Sequence, residues 1–118
     1  MSKNADQSLG EVLRDARVAK DMSLRALAGQ LDITPSYLSD IENDRRIPAE
    51  DVLASLSGAL GLDFDDLMAL AGRFGEEAER YLRKQPTAVK LFRRISAANL
   101  DEDQLRAMID DVEKGNNP

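Results

Sequence analysis

Apolar residues recur along this chain at helical spacing, separated by short polar turns, and no alternating strand pattern interrupts them. Leu9, Val12, Leu13 and Ala16 line one face of a helix over about 8–20, opened by Ser8 and Glu11 at the spacing of a capping box. Leu27, Ala28 and Leu31 face inward from a second helix that Ser23 can cap. Thr34-Pro35, a cap followed by proline at the first helical position, opens a third, with Ile33, Leu38 and Ile41 inward. Asn43 to Pro48 reads as a loop. A fourth helix over about 49–60 turns Val52, Leu53, Leu56, Ala59 and Leu60 inward and stops at Gly61; Asp63 caps a fifth that carries Phe64, Leu67, Met68 and Ala71. Gly72 and Gly75 bracket a hinge. Beyond it the spacing predicts helices over about 76–84, ended by Pro86, over about 87–97 with Ala88, Leu91, Phe92 and Ile95 inward, and over about 101–114 with Leu105, Met108, Ile109 and Val112 aligned behind a second Asp101/Gln104 cap. The fold class expected is therefore all-α: a flexible arm at 1–7, a five-helix domain at 8–72, a small helical unit at 76–114 and a frayed tail after it.

The stretch 23–48 is the most telling. Its two short helices are joined by a turn too tight for large side chains, with Ala28 where they cross and Asp32 where a left-handed backbone is expected. Helices so spaced form a helix-turn-helix, whose second helix can enter a DNA major groove.

Composition narrows the alternatives. The 118 residues are 42% hydrophobic but only 4% aromatic, which suits aliphatic helix packing better than a sheet. The chain has no Cys and no His, which removes disulfides, thiolate metal sites and the commonest general base. Asp63, Asp65 and Asp66 have the look of a cap and an acidic first turn rather than a calcium loop. There is no glycine-rich phosphate loop and no ready nucleophile–base pair. No enzyme activity, catalytic residue, metal or cofactor is expected. No segment approaches the ~20 apolar residues of a membrane span, and the N-terminus has no apolar signal core, so the expectation is a soluble, cytoplasmic protein with no membrane partner.

A formal charge of −6 is unusual for a protein that meets phosphate, but its distribution matters more. Residues 8–48 carry six bases and seven acids, residues 49–71 five acids and no base, and residues 80–94 six bases and no acid. The excess acid lies after the helix-turn-helix. The basic run at 80–94 reads best as a helix face matched to the acids of 101–113, in the same chain or in a partner.

With these motifs in place, the chain resembles the Cro/phage-repressor, or XRE, family of helix-turn-helix transcriptional regulators over about residues 9–71. The resemblance rests on Leu13-Arg14 and Arg17, on Ser23 to Ala28, on Ile33 to Asn43, on Arg46 and Pro48, and on Leu53, Leu56 and Ala59 to Leu62. It implies a lambda-repressor-like five-helix domain, dimeric binding to a double-stranded operator and transcriptional control. It also implies a partly buried structural salt bridge between Arg17 and Glu42. Leu24 stands where the family often has a Gln that touches DNA, and Asp32 and Asp44 stand where many relatives have Gly. The 76–113 segment is similar to the C-terminal regions of repressors from integrated elements and stress regulons, some of which are inactivated by a partner metallopeptidase.

Candidate DNA-reading residues lie near the start of the third helix: Thr34, Pro35, Ser36, Tyr37 and Asp40, with Ser39 behind them. Ser36 can donate to or accept from a base, Tyr37 can offer its ring to a thymine methyl or its hydroxyl to phosphate, and Asp40 can accept from cytosine N4. Tyr37 can equally pack at the helix junction, Ser36 and Ser39 can be plain solvent-facing serines, Asp40 can be a surface or locally paired residue, and Arg45 and Arg46 can merely solvate their loop. Arg25, Asn43, Arg45 and Arg46 are the expected phosphate contacts. Phe92, Ile95, Leu105, Met108, Ile109 and Val112 form apolar stripes outside the main domain, which marks 76–114 as a dimerisation unit giving a homodimer. Cutting that tail, for instance near Leu105–Arg106, is expected to weaken operator binding by removing bivalency. The expected function is a regulator, of repressor type, on a palindromic operator; the competing reading is an antitoxin-like interaction partner whose C-terminal helices bind another protein.

Overall fold

The computed structural model describes residues 7–115. The expected arm, apart from Gln7, and the last three residues of the tail lie outside them. The described residues form α1 (Leu9–Ala19), α2 (Leu24–Leu31), α3 (Pro35–Glu42), α4 (Glu50–Leu60), α5 (Phe64–Ala71), α6 (Glu76–Lys84), α7 (Pro86–Ala98) and α8 (Glu102–Gly115). Contacts divide the chain into two units, one ending at Glu76 and the other beginning at Glu77.

In the first unit, α3 packs on α1 and α2, and α4 packs on α1, α2 and α5. Leu13, Leu27, Leu38, Ile41, Leu53 and Leu56 are wholly buried in one shared core. Ala28 is also wholly buried, as the close crossing of α2 and α3 demands. Local chemistry fixes the helix starts. Ser8 accepts from the Glu11 amide while Glu11 accepts from the Ser8 amide, a complete capping box. Ser23, Thr34 and Asp63 each cap the helix that follows. Ile33 departs from the sequence reading: it precedes α3 rather than lying on it. It packs against the core from the residue before the cap, with Leu38 at the matching position of a hydrophobic staple.

The turns explain two aspartates. Asp32 closes α2 in the left-handed conformation, φ 57°, and Asp44 follows α3 at φ 59°. Asp44 does more than tolerate that backbone. Its carboxylate accepts from the Ser8 hydroxyl at 2.6 Å and from the Gly10 amide at 2.9 Å, so the turn after α3 also caps α1. Glycine there would relieve strain but lose both bonds. Gly10 itself is required by contact: a Cβ would stand 2.4 Å from the Glu42 carbonyl oxygen, where α1 crosses the end of α3.

The second unit starts α7 on Pro86 at its first position and ends it at Asn99, φ 52°. Asp101 and Gln104 form the expected reciprocal cap of α8, each amide donating 2.9 Å to the other's side chain. No residue of α6, α7 or α8 is fully buried. Ile95, Leu105 and Met108 are half-buried, while Phe92, Ile109 and Val112 are exposed. Among the described residues, no helix is long and apolar enough to cross a membrane.

Candidate nucleic-acid interface

Helix α3 is gripped from below and exposed above. Leu38 and Ile41 are wholly buried, while Thr34 and Ser36 at the leading turn are exposed. Thr34 Oγ1 accepts from the Tyr37 amide at 3.0 Å, which ties the first turn to its cap. Pro35 has no amide to satisfy there, so the start of α3 is rigid at little cost.

Glu42 ends α3 and holds the helix in place. Arg17 of α1 donates to it twice, Nε to Oε2 at 2.8 Å and Nη2 to Oε1 at 3.0 Å. The same guanidinium donates through Nη1 to the Met22 carbonyl at 2.9 Å. The two side chains are 13% and 5% accessible, so the salt bridge that the family resemblance implied is present and well desolvated. Hydrogen bonding to Glu42 raises the Arg17 pKa above its ordinary value; burial opposes this, and the carboxylate's charge adds to it.

The cations flanking α3 are not loose. The Arg45 amide donates to the Asp40 carbonyl at 2.8 Å, and its well-exposed guanidinium lies 3.7 Å from the half-buried Asp40 carboxylate. Asp40 is thus locally paired in the free chain. The Arg46 guanidinium lies over the Tyr37 ring, 5.1 Å from its centroid, and Tyr37 is partly buried against the core. Asn43 turns its amide nitrogen back on α3, donating 2.9 Å to the Ser39 carbonyl and 3.3 Å to the Ser39 hydroxyl. Contact between that nitrogen and a phosphate would compete with the helix end. Arg25 is exposed in the first turn of α2.

Leu24, which replaces the frequent Gln, is half-buried against the core. With Arg14, Arg17, Ser39, Glu42 and Asn43 it lines an open hollow of about 300 Å³ between α1, α2 and α3. Arg14 carries part of the family resemblance but is not among the DNA contacts expected from the sequence. Its signal was available, since it lies three residues before Arg17 on α1 and so shares that side of the helix. Among the described residues, no group of three or more Asp or Glu is placed to hold a metal ion.

A helix-turn-helix family model matches residues 13–67. The transcriptional regulator ClgR of Mycobacterium tuberculosis is 30% identical over 93 residues, 79% of this chain and 79% of that protein. The HTH-type transcriptional regulator DdrOP3 of Deinococcus deserti is 33% identical over 69 residues, 58% of this chain and 54% of its own length. Among solved structures, the clp gene regulator ClgR from Corynebacterium glutamicum aligns with 76% of this chain and 88% of its own at 30% identity and a TM-score of 0.48. With its helix-turn-helix match and a regulator related along four-fifths of its length, the chain belongs to the XRE/Cro-type family of helix-turn-helix transcriptional regulators.

Proposed function

We propose that this chain regulates transcription by laying the start of α3 in the major groove of a specific operator, two copies per site. One observation carries the reading: α3 has a buried aliphatic underside and an exposed leading turn, and Arg45 and Arg46 are both tied back to that same helix. Ser36 is then the nearest base reader, and Arg25, Arg45 and Arg46, with Arg14 at the rim of the hollow, neutralise phosphates on either side. Each good base contact is worth ~1–3 kcal/mol of discrimination. One eight-residue helix reads too few base pairs for a unique site, so the operator is a palindrome and the regulator a dimer.

The second unit supplies the pairing in this reading. Its helices bury no residue fully within one chain, and Ile109 and Val112 are 57% and 64% accessible. A second copy covers those stripes, and severing the unit, by the metallopeptidase the family resemblance implies or by any protease, releases two weak reading heads. The test is selection of duplexes from a random-sequence pool by the full chain, followed by titration at two salt concentrations. A palindromic consensus with a steep salt dependence supports the regulator; no enrichment and no salt dependence leaves the interaction-partner reading. Sedimentation of the Ile109→Glu/Val112→Glu variant tests the pairing. A monomer is expected, and an unchanged dimer refutes this role for α8.

A further inference from the structure

We infer that Tyr37 is a positioning residue: its ring, not its hydroxyl, holds Arg46 ready for a DNA phosphate. The inference rests on the DNA-binding reading above and assigns the roles within it. Three observations converge. The loop after α3 is pinned on both sides of Arg46. Before it, Asp44 is bonded to Ser8 and Gly10 of α1. After it, Pro48 is buried and its carbonyl accepts from Arg73 Nε at 2.8 Å. Between these anchors Arg46 lies exposed with its guanidinium over the Tyr37 ring. Tyr37 in turn is seated against the core at the third position of α3, so the platform moves with the reading helix.

A guanidinium that lies over a ring spends no N–H group on a hydrogen bond there, so its donors stay available, and their fork is what matches phosphate. The stack removes rotamer freedom from the arginine before DNA arrives, so less ordering cost falls on binding. Lysine carries the same charge but no plane to stack, so it cannot reproduce the arrangement. A tyrosine used this way sets the register of the helix on the backbone and carries no base information of its own.

The experiment is a double-mutant cycle in operator affinity on the full chain, using a duplex that the wild-type chain selected from a random pool. Tyr37→Phe is expected to bind like wild type. Tyr37→Leu and Arg46→Lys are each expected to weaken binding about two- to five-fold, the scale of an exposed cation–π contact. In the Tyr37→Leu background, Arg46→Lys is expected to cost clearly less than it does in the wild type, because only the forked phosphate contact is then left to lose. Arg46→Ala should lower the salt slope by ~0.9, the value for one phosphate contact, while Tyr37→Leu leaves the slope unchanged. Repeating the selection with Tyr37→Leu should return the wild-type consensus. Additive losses, a weakened Tyr37→Phe or a changed consensus would each overturn the inference. Arg46→Lys replaces an exposed side chain and Tyr37→Phe removes only a hydroxyl, so these two single changes still test the inference if Tyr37→Leu loses stability: Arg46→Lys binding like wild type or a weakened Tyr37→Phe overturns it. A wild-type chain that selects no duplex refutes the DNA-binding reading instead, before any variant is made.

Discussion

Replacing Glu42 with alanine should be the most damaging single truncation outside the aliphatic core. The carboxylate takes two hydrogen bonds from Arg17, at 2.8 and 3.0 Å, and is 5% accessible. Removing it strands a guanidinium that is itself only 13% accessible. Breaking a buried pair from one side costs about 3–5 kcal/mol. Arg17 keeps the Met22 carbonyl and some solvent, which places the loss near the lower end, about 3 kcal/mol. For a domain of this size each kcal/mol moves Tm by about 4–8 °C, so the midpoint should fall by more than about 10 °C. Urea unfolding of the full chain by circular dichroism gives the loss, and amide exchange at Leu13 and Ile41 localises it to the junction of α1 and α3. The double change Arg17→Met/Glu42→Leu should recover most of it, because an apolar pair leaves no charge to desolvate. The raised pKa of Arg17 means its part of this stability is complete below the ordinary arginine value and is lost only as pH rises through the higher folded value. A Glu42→Ala loss under about 1 kcal/mol, or strictly additive single changes, would refute the account of a desolvated, interdependent pair.

Three further outcomes follow from the same contacts. Asp44→Gly keeps the left-handed turn but loses the caps on Ser8 and Gly10, and should cost about 1 kcal/mol; Asp44→Ala adds backbone strain and should cost about 1 kcal/mol more, both read by urea denaturation. Gly10→Ala forces a Cβ to 2.4 Å from the Glu42 carbonyl oxygen and should destabilise by more than about 1 kcal/mol, although alanine favours helix elsewhere; a stabilised variant would show that α1 and α3 separate freely. Truncation after Leu105 removes most of α8 and should raise the operator dissociation constant by about 10²-fold or more if bivalency sets affinity, measured by fluorescence anisotropy; unchanged affinity would exclude α8 from pairing.

The helices and their caps were legible because they are local. Ser8/Glu11, Thr34-Pro35 and Asp101/Gln104 each satisfy amides within three residues, so the pattern in the sequence is the contact in the structure. Asp32 was legible for the same reason, since a turn between two short helices needs a residue that tolerates positive φ. The long-range roles were not. Nothing near Gly10 in the chain announces the Glu42 carbonyl opposite it, and the two bonds to Asp44 span more than thirty residues. At the candidate interface, residue types suggested arginines and a tyrosine, but the partnership of Arg46 with Tyr37 and of Arg45 with Asp40 depends on how the chain folds back after α3. Tyr37 and Asp40 had two readings each in the sequence, and both side chains are locally engaged in the free chain.

The net negative charge then becomes part of the regulator's logic rather than an obstacle to it. The five acids of residues 49–71 include Glu50 and Asp51 in the first turn of α4 and Asp65 and Asp66 in that of α5, where they suit the positive ends of the helix dipoles. Glu50 also accepts from the Glu76 amide at 3.0 Å, so it has a structural task. Asp65 and Asp66 are exposed, and beyond the α5 dipole their charges act on DNA only through the long-range field. That field weakens every DNA site alike, whereas the base contacts proposed for α3 would strengthen one, so acidity would lower nonspecific occupancy and leave discrimination intact. Asp65→Asn/Asp66→Asn should therefore tighten binding to random duplex and to operator by the same factor at low salt, with the difference vanishing as salt is raised. A gain confined to the operator would place these acids at the interface itself, and no gain at all would show that the acidic stretch lies beyond the reach of the bound DNA's field.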